Sequence, residues 1–196
     1  MATGLPLAGV VTQPFYEKQD DCWLGRCVWG VSHFRVHITG ELQYCGHHGY
    51  RHTWGKVIQG GSMATDNNVI VISGSESEEF IQRLKDGGYD VIPVKGAGYK
   101  QLCVIDKKAV AFIREGCSTY KWDTCGPHAI LRSRGGDMLA FGRARQLQKL
   151  TNEVVVKYTS PDDELLTGTQ AWRNSTGVLA YLHSNSAQTL LQLLSQ

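Results

Sequence analysis

An α/β fold, with a mixed β-sheet and flanking helices, is what this sequence of 196 residues predicts. Three stretches carry the expectation. Residues 5–13 and 22–32 are β-rich runs separated by a polar segment, the pattern of an antiparallel hairpin. Residues 68–94 read strand, helix, strand, which calls for a parallel pair with a right-handed crossover. Residues 120–136, YKWDTCGPHAILRSRGG, set one carboxylate, Asp123, between an aromatic segment and a helix whose start and stop are both legible.

In the hairpin, Pro14 is expected to end the first strand, because it has no N–H to give to a ladder. Residues 33–67 hold glycine at 40, 46, 49, 55, 60 and 61 and show little periodicity. They predict a third strand near 34–38 and then a surface insertion. The insertion contains Cys45, His47, His48 and His52, which with Cys22 and Cys27 could ligate zinc. The spacing matches no established zinc pattern and two adjacent histidines share one ion awkwardly, so a His-rich polar loop is the better reading.

The run 68–73 is apolar and β-branched, as a buried strand requires. Ser75 followed by Glu78 has the capping-box spacing for a helix reaching about Lys85, Gly87-Gly88 stops it, and 89–94 is the next strand. Residues 95–100, KGAGYK, form a glycine-rich turn between strand and helix. There, backbone amides can approach a phosphate or hydroxyl, and Lys100 adds a mobile cation. A bare G-x-G turn holds no ligand in most proteins, so it is weak by itself.

A short helix continues through 102–105, 110–113 is a strand, and 114–120 delivers the chain to Asp123. Thr124 and Gly126 are tolerated at a helix entry, Pro127 fits a first turn where its missing N–H has no partner, and Gly135-Gly136 closes the helix. Asp123 then sits at a strand-to-helix mouth, where α/β proteins bind ligands. It can cap the helix, or it can be a hard oxygen ligand for a divalent cation beside a phosphate. Further on, 138–141 reads as a short strand, 143–150 as a polar excursion, 153–158 as an edge strand, 160–163 as a loop, 178–182 as the last strand and 187–194 as an amphipathic closing helix.

Composition bounds the function classes. A net charge of +2 with no basic stripe argues against nucleic-acid binding. The longest apolar run, 104–113, is broken by Asp106-Lys107-Lys108, so no membrane span is expected. The opening MATGLPLAGVV lacks the regions of a signal peptide, so the six cysteines are read as reduced and the location as cytoplasmic. A strand so close to Met1, with no helix before it, looks like a sheet cut from a larger protein. Its exposed edge predicts self-association.

The run Trp122-Asp123, Gly126, Ile130 and Gly135-Gly136 resembles the C-terminal motif of the Mg-dependent, lithium-sensitive inositol monophosphatase family. The wider wording, GLPLAGVVTQPF at 4–15, GRCVWG at 25–30, GAGYKQLCV at 96–104 and HAILR at 128–132, is similar to the branch that acts on inositol polyphosphates. The resemblance covers nearly the whole chain but only the C-terminal half of such an enzyme. It implies a layered α/β sandwich of the family type, a single C-terminal portion over 1–196, Mg²⁺ as cofactor and an inositol polyphosphate losing its 1-phosphate, as in inositol 1,4-bisphosphate or inositol 1,3,4-trisphosphate.

Residue by residue, the resemblance implies that Asp123 is the metal-ligating, catalytic aspartate, and that Ser75, Gly96, Ala97, Lys100 and Ser118 contact substrate. Two departures matter: Ser77 stands for a lysine that faces a substrate phosphate, so a cation for the second phosphate is missing or supplied elsewhere, and Ser118 stands for a threonine, a mild change because either hydroxyl can donate. A larger departure is the lack of the paired-glutamate and Asp-Pro-x-Asp segments that bring the family's other metal ligands, since no Asp-Pro occurs and the only adjacent glutamates are Glu78-Glu79. The expectation is therefore a substrate cradle with an incomplete catalytic centre. Other readings are a non-catalytic form that binds a phosphorylated ligand or a partner, and a nucleotidase for 3′,5′-bisphosphates.

Overall fold

The structure is a computed structural model that describes residues 3–33, 36–45, 58–59, 68–161 and 165–195. His47, His48 and His52 of the Cys/His-rich insertion lie outside the described residues, as do residues 162 and 163 of the loop at 160–163.

Strands β1 (Ala8–Gln19) and β2 (Cys22–His33) form the expected antiparallel hairpin. Pro14 does not end β1. Pairing runs from Ala8↔Val31 to Gln13↔Arg26 and resumes at Glu17↔Leu24, so β1 spends two more residues than β2 on that step. The missing N–H of Pro14 falls inside this bulge, where no ladder bond is asked of it. Strands β3 (Val36–Cys45) and β4 (Ile58–Gln59) complete a four-stranded antiparallel sheet, so the third strand is longer than expected. Cys22 is disulfide-bonded, which departs from the expectation of six reduced thiols, whereas Cys27, Cys103, Cys117 and Cys125 are free.

The second sheet has five strands. β5 (Val69–Ile72) pairs in parallel with β6 (Asp90–Pro93) on one side and β7 (Ala111–Arg114) on the other. β8 (Asp137–Ala140) and β9 (Val178–Tyr181) extend it antiparallel, in the order β6-β5-β7-β9-β8. Between the strands run α1 (Glu78–Asp86), α2 (Ala97–Ile105), α3 (Lys121–Ser133), α4 (Phe141–Leu147) and, last, α5 (Ser184–Leu194).

Strand periodicity sorts these helices into two layers. Ile70, Ile72, Ala111, Ile113, Leu139, Leu179 and Tyr181 share one core with Phe80 of α1, Phe141 of α4 and Leu190 of α5. Val71, Phe112, Met138, Val178 and Ala180 face the other way, toward Leu102 of α2, Ile130 of α3 and Val28 of β2. The α2–α3 pair is thus packed between the two sheets. The predicted mixed sheet with flanking helices is observed, as a layered sandwich.

Three local expectations are corrected. The cap of α1 is Ser77 rather than Ser75: its Oγ accepts from the Phe80 N–H at 3.2 Å. Residues 143–150 are not an excursion, because α4 covers most of them and buries Phe141 and Ala144 one turn apart. Residues 153–158 form only a bridge, Leu139↔Val155, with Ala140 N–H donating to Val154 O at 2.7 Å and Val156 N–H to Met138 O at 2.9 Å.

Two buried polar clusters fasten α2 and α3 in place. Arg26 of β2 is 4% exposed and reaches both oxygens of Asp106, at the end of α2, at 2.7 Å, and Glu41 of β3 at 2.9 Å. His128 of α3 is fully buried, with Nε2 2.5 Å from Asp137 at the start of β8 and Nδ1 3.0 Å from the Tyr158 hydroxyl. Burial pushes the His128 imidazole down, despite Asp137, so the ring is neutral at pH 7 and donates Nε2–H to the carboxylate.

Candidate functional site

The carboxyl ends of β5 and β7 form the switch point of the parallel part of the sheet. From β5 the chain crosses through α1 to β6, and from β6 it crosses through α2 to β7 on the far side of β5, so the two crossovers diverge there. Open α/β sheets bind ligands at such a point, since the diverging connections leave a crevice with helix N-termini around it.

Gly96 enters α2 with φ +82°, a conformation that suits glycine, and Ala97 is the first helical residue, so the turn presents backbone amides as the sequence predicted. Ser75 is exposed in the loop after β5. Lys100 differs from its expectation. It is a buried ammonium rather than a mobile one, donating to Val94 O at 3.2 Å and lying 5.5 Å from the centre of the Phe112 ring. Burial, with Arg114 nearby, pulls it below the usual lysine range.

The α3 helix begins at Lys121, earlier than expected, which makes Asp123 its third residue and carries Pro127 into the second turn. Asp123 Oδ2 accepts the Tyr120 N–H at 2.9 Å, so the carboxylate fastens the helix entry as a cap does. Pro127 has no N–H to offer the carbonyl four residues back, which is that of Asp123. Gln101 of α2 fills the gap: its Nε2 donates to Asp123 O at 3.1 Å and to Ala97 O at 3.0 Å. One buried amide therefore ties the glycine-rich turn to the aspartate.

Around this pair lies a second group that the sequence reading missed. Arg114, the last residue of β7, donates from Nη1 to Glu76 at 2.6 Å and from Nε to Ser118 Oγ at 2.9 Å. Trp122 is 54% exposed and stacks on Tyr120 at 4.5 Å, while the Arg173 guanidinium lies 5.6 Å from the Tyr120 ring centre on the same stretch of surface. Gln101 thus joins the glycine-rich turn to Asp123, and Arg114 joins Ser118 to Glu76, the chain neighbour of Ser75. For Gln101, a proline four residues after a helix-entry aspartate was a usable signal, because it announces a carbonyl in need of a donor. For Arg114 and Glu76, pairing across 38 residues leaves no local signature.

Among the described residues, no group of three or more His, Cys, Asp or Glu side chains is placed to hold a metal ion. Mg²⁺ takes carboxylates from more than one segment together with water, and Asp123 supplies one. The described residues of this chain do not by themselves fit a Mg²⁺ site. No described helix is long and apolar enough to cross a membrane.

A family model described as the inositol monophosphatase family matches residues 1–186. The chain is 32% identical over 201 residues to inositol polyphosphate 1-phosphatase of Mus musculus, covering 100% of this chain and 50% of that protein. It is 29% identical over 146 residues to 3′(2′),5′-bisphosphate nucleotidase 1 of Dictyostelium discoideum, covering 69% of this chain and 41% of that one. Inositol monophosphatase II from Staphylococcus aureus aligns in structure with a TM-score of 0.47 at 11% identity, covering 100% of this chain and 68% of that one. The chain spans about half the length of the curated inositol polyphosphate 1-phosphatases it matches.

Proposed function

This chain belongs to the inositol monophosphatase family, and on that footing we propose that it is the substrate-holding part of a phosphomonoesterase that removes the 1-phosphate from inositol polyphosphates. The observation that carries the reading is the Gln101 bridge, which holds the α2 turn and the α3 entry at fixed separation beside the switch point. Gly96 and Ala97 offer backbone amides to a phosphate, Ser118 offers a hydroxyl, Ser75 reaches in from the loop after β5, and Lys100 supplies a positive potential from beneath. Asp123 is the catalytic aspartate and one ligand of a Mg²⁺ whose other carboxylates come from a further part of the longer fold and not from this chain. When bound, such an ion would neutralise phosphoryl oxygens and activate water.

In this reading the chain is a single α/β portion of a longer fold, works in the cytoplasm, and self-associates through its free sheet edges. A bisphosphate nucleotide is the competing ligand, because the nucleotidase relatives match the same stretch. Thermal unfolding with added ligand separates the two. Inositol 1,4-bisphosphate at a hundred times its Kd should stabilise the chain by about 2.7 kcal/mol, a shift of a few degrees. Protection by adenosine 3′,5′-bisphosphate but not by the inositol ester would replace this reading with the nucleotidase one.

A further inference from the structure

Arg114 is held in an unusual balance at the switch point. Its side chain is 10% exposed, yet the guanidinium stands at the carboxyl end of β7, beside the exposed Ser118 hydroxyl. Nη1 meets Glu76, whose side chain is 2% exposed, and Nε meets Ser118. Nη2 meets no acceptor among the described residues, and it faces Gly116, where an added Cβ would come within 2.9 Å of it. The glycine leaves room beside Nη2 that a side chain would take.

The charges around it do not balance. Lys100 and Arg114 repel one another, and Glu76 is the carboxylate set against both. Two inward-held cations facing one anion leave an excess positive charge in a low-dielectric setting, which is costly unless another anion arrives. Lys100 contacts a carbonyl and a ring, and Asp123, bonded to the Tyr120 N–H, is not among the charges that act on it. Nη1 and Nη2 form one edge of a planar fork suited to bidentate capture of a phosphate, and Glu76 occupies half of that edge.

We propose that Arg114 receives a second anionic group of the ligand, a phosphate ester other than the one at Asp123, with Glu76 as the internal counter-ion that this phosphate displaces. The assignment rests on the functional reading above and adds to it a residue that selects bisphosphorylated over monophosphorylated ligands. Glu76 holds the fork in place when the site is empty and lowers the affinity it would otherwise have. Ser118 keeps the guanidinium plane oriented through Nε.

Isothermal titration of the full chain with inositol 1,4-bisphosphate and with inositol 1-phosphate, both with magnesium, tests it on wild type, Arg114→Met and Glu76→Gln. Wild type should prefer the bisphosphate at least about tenfold, Arg114→Met should bring that preference to within about twofold, and Glu76→Gln should tighten the bisphosphate at least about threefold, as expected for a charge-assisted contact and its competitor. Equal weakening of both ligands in Arg114→Met, or no preference in wild type, overturns the assignment and leaves the family reading intact. Should Arg114→Met fail to fold, Glu76→Gln decides, because unchanged or weaker bisphosphate binding there also overturns it. Binding of neither ligand by wild type sinks the functional reading and this assignment together.

Discussion

Replacing Arg26 by methionine should lower the unfolding free energy by about 3 kcal/mol, the low end for breaking a buried ion pair, because Arg134 still acts on Asp106. The partner that suffers is Asp106, with a side chain 11% exposed and both oxygens aimed at the missing guanidinium. Glu41 is 32% exposed and can turn to water, so it contributes less. The double replacement Arg26→Met with Asp106→Leu removes the stranded charge as well and should recover most of the loss. Urea unfolding of the three proteins reads this directly. A single-variant loss under about 1 kcal/mol would mean that water reaches Asp106 and that Arg26 does not clamp α2 to the first sheet.

The second large effect concerns the contact that seats α3 on β1. A Cβ at Gly9 would stand 2.1 Å from the carbonyl oxygen of Gly126 and 2.7 Å from its carbon atoms, all backbone, so nothing there can swing aside. Gly9→Ala should cost about 3 kcal/mol or more, at the upper end for overpacking, by pushing the α3 helix and Asp123 with it. The reverse substitution behaves differently. At Gly126 an added Cβ would meet Val10 O at 3.3 Å, a tight but yielding contact, and alanine inside a helix gains about 1 kcal/mol over glycine. Gly126→Ala should therefore lie near neutral. Equal losses for the two variants in thermal melts would show that helix and strand are not in direct backbone contact.

Much of this architecture is legible in the sequence because it is written in short-range chemistry. The hairpin, the helix ended by Gly87-Gly88 and the glycine turn before α2 each follow from periodicity and stop signals within a few residues. Expectations failed where a distant partner decides. Pro127 looked like a first-turn proline because its lost hydrogen bond is tolerated there, but Gln101 from another helix makes it tolerable a turn later. Lys100 looked like a free cation because a lysine after a glycine turn commonly is one, but Val94 O and the Phe112 ring take it inward. Around the candidate site the helix entry at Asp123 and the glycine turn were readable as local structure, whereas Gln101, Arg114 and Glu76 act through contacts that only the tertiary fold creates.

The two roles open for Asp123 at the start are not exclusive, since Oδ2 caps the helix while the other oxygen is not part of that bond. Capping alone explains the residue without any metal, which is why turnover decides the account. The measurement is release of phosphate from inositol 1,4-bisphosphate by this chain in magnesium, beside the Asp123→Asn variant and with lithium added. The ligand should bind, but release should not exceed the variant's, because one carboxylate cannot hold the ions the reaction needs. Magnesium-dependent, lithium-sensitive release that disappears in Asp123→Asn would contradict it, and would place the completing carboxylates outside the described residues or in a second copy of the chain.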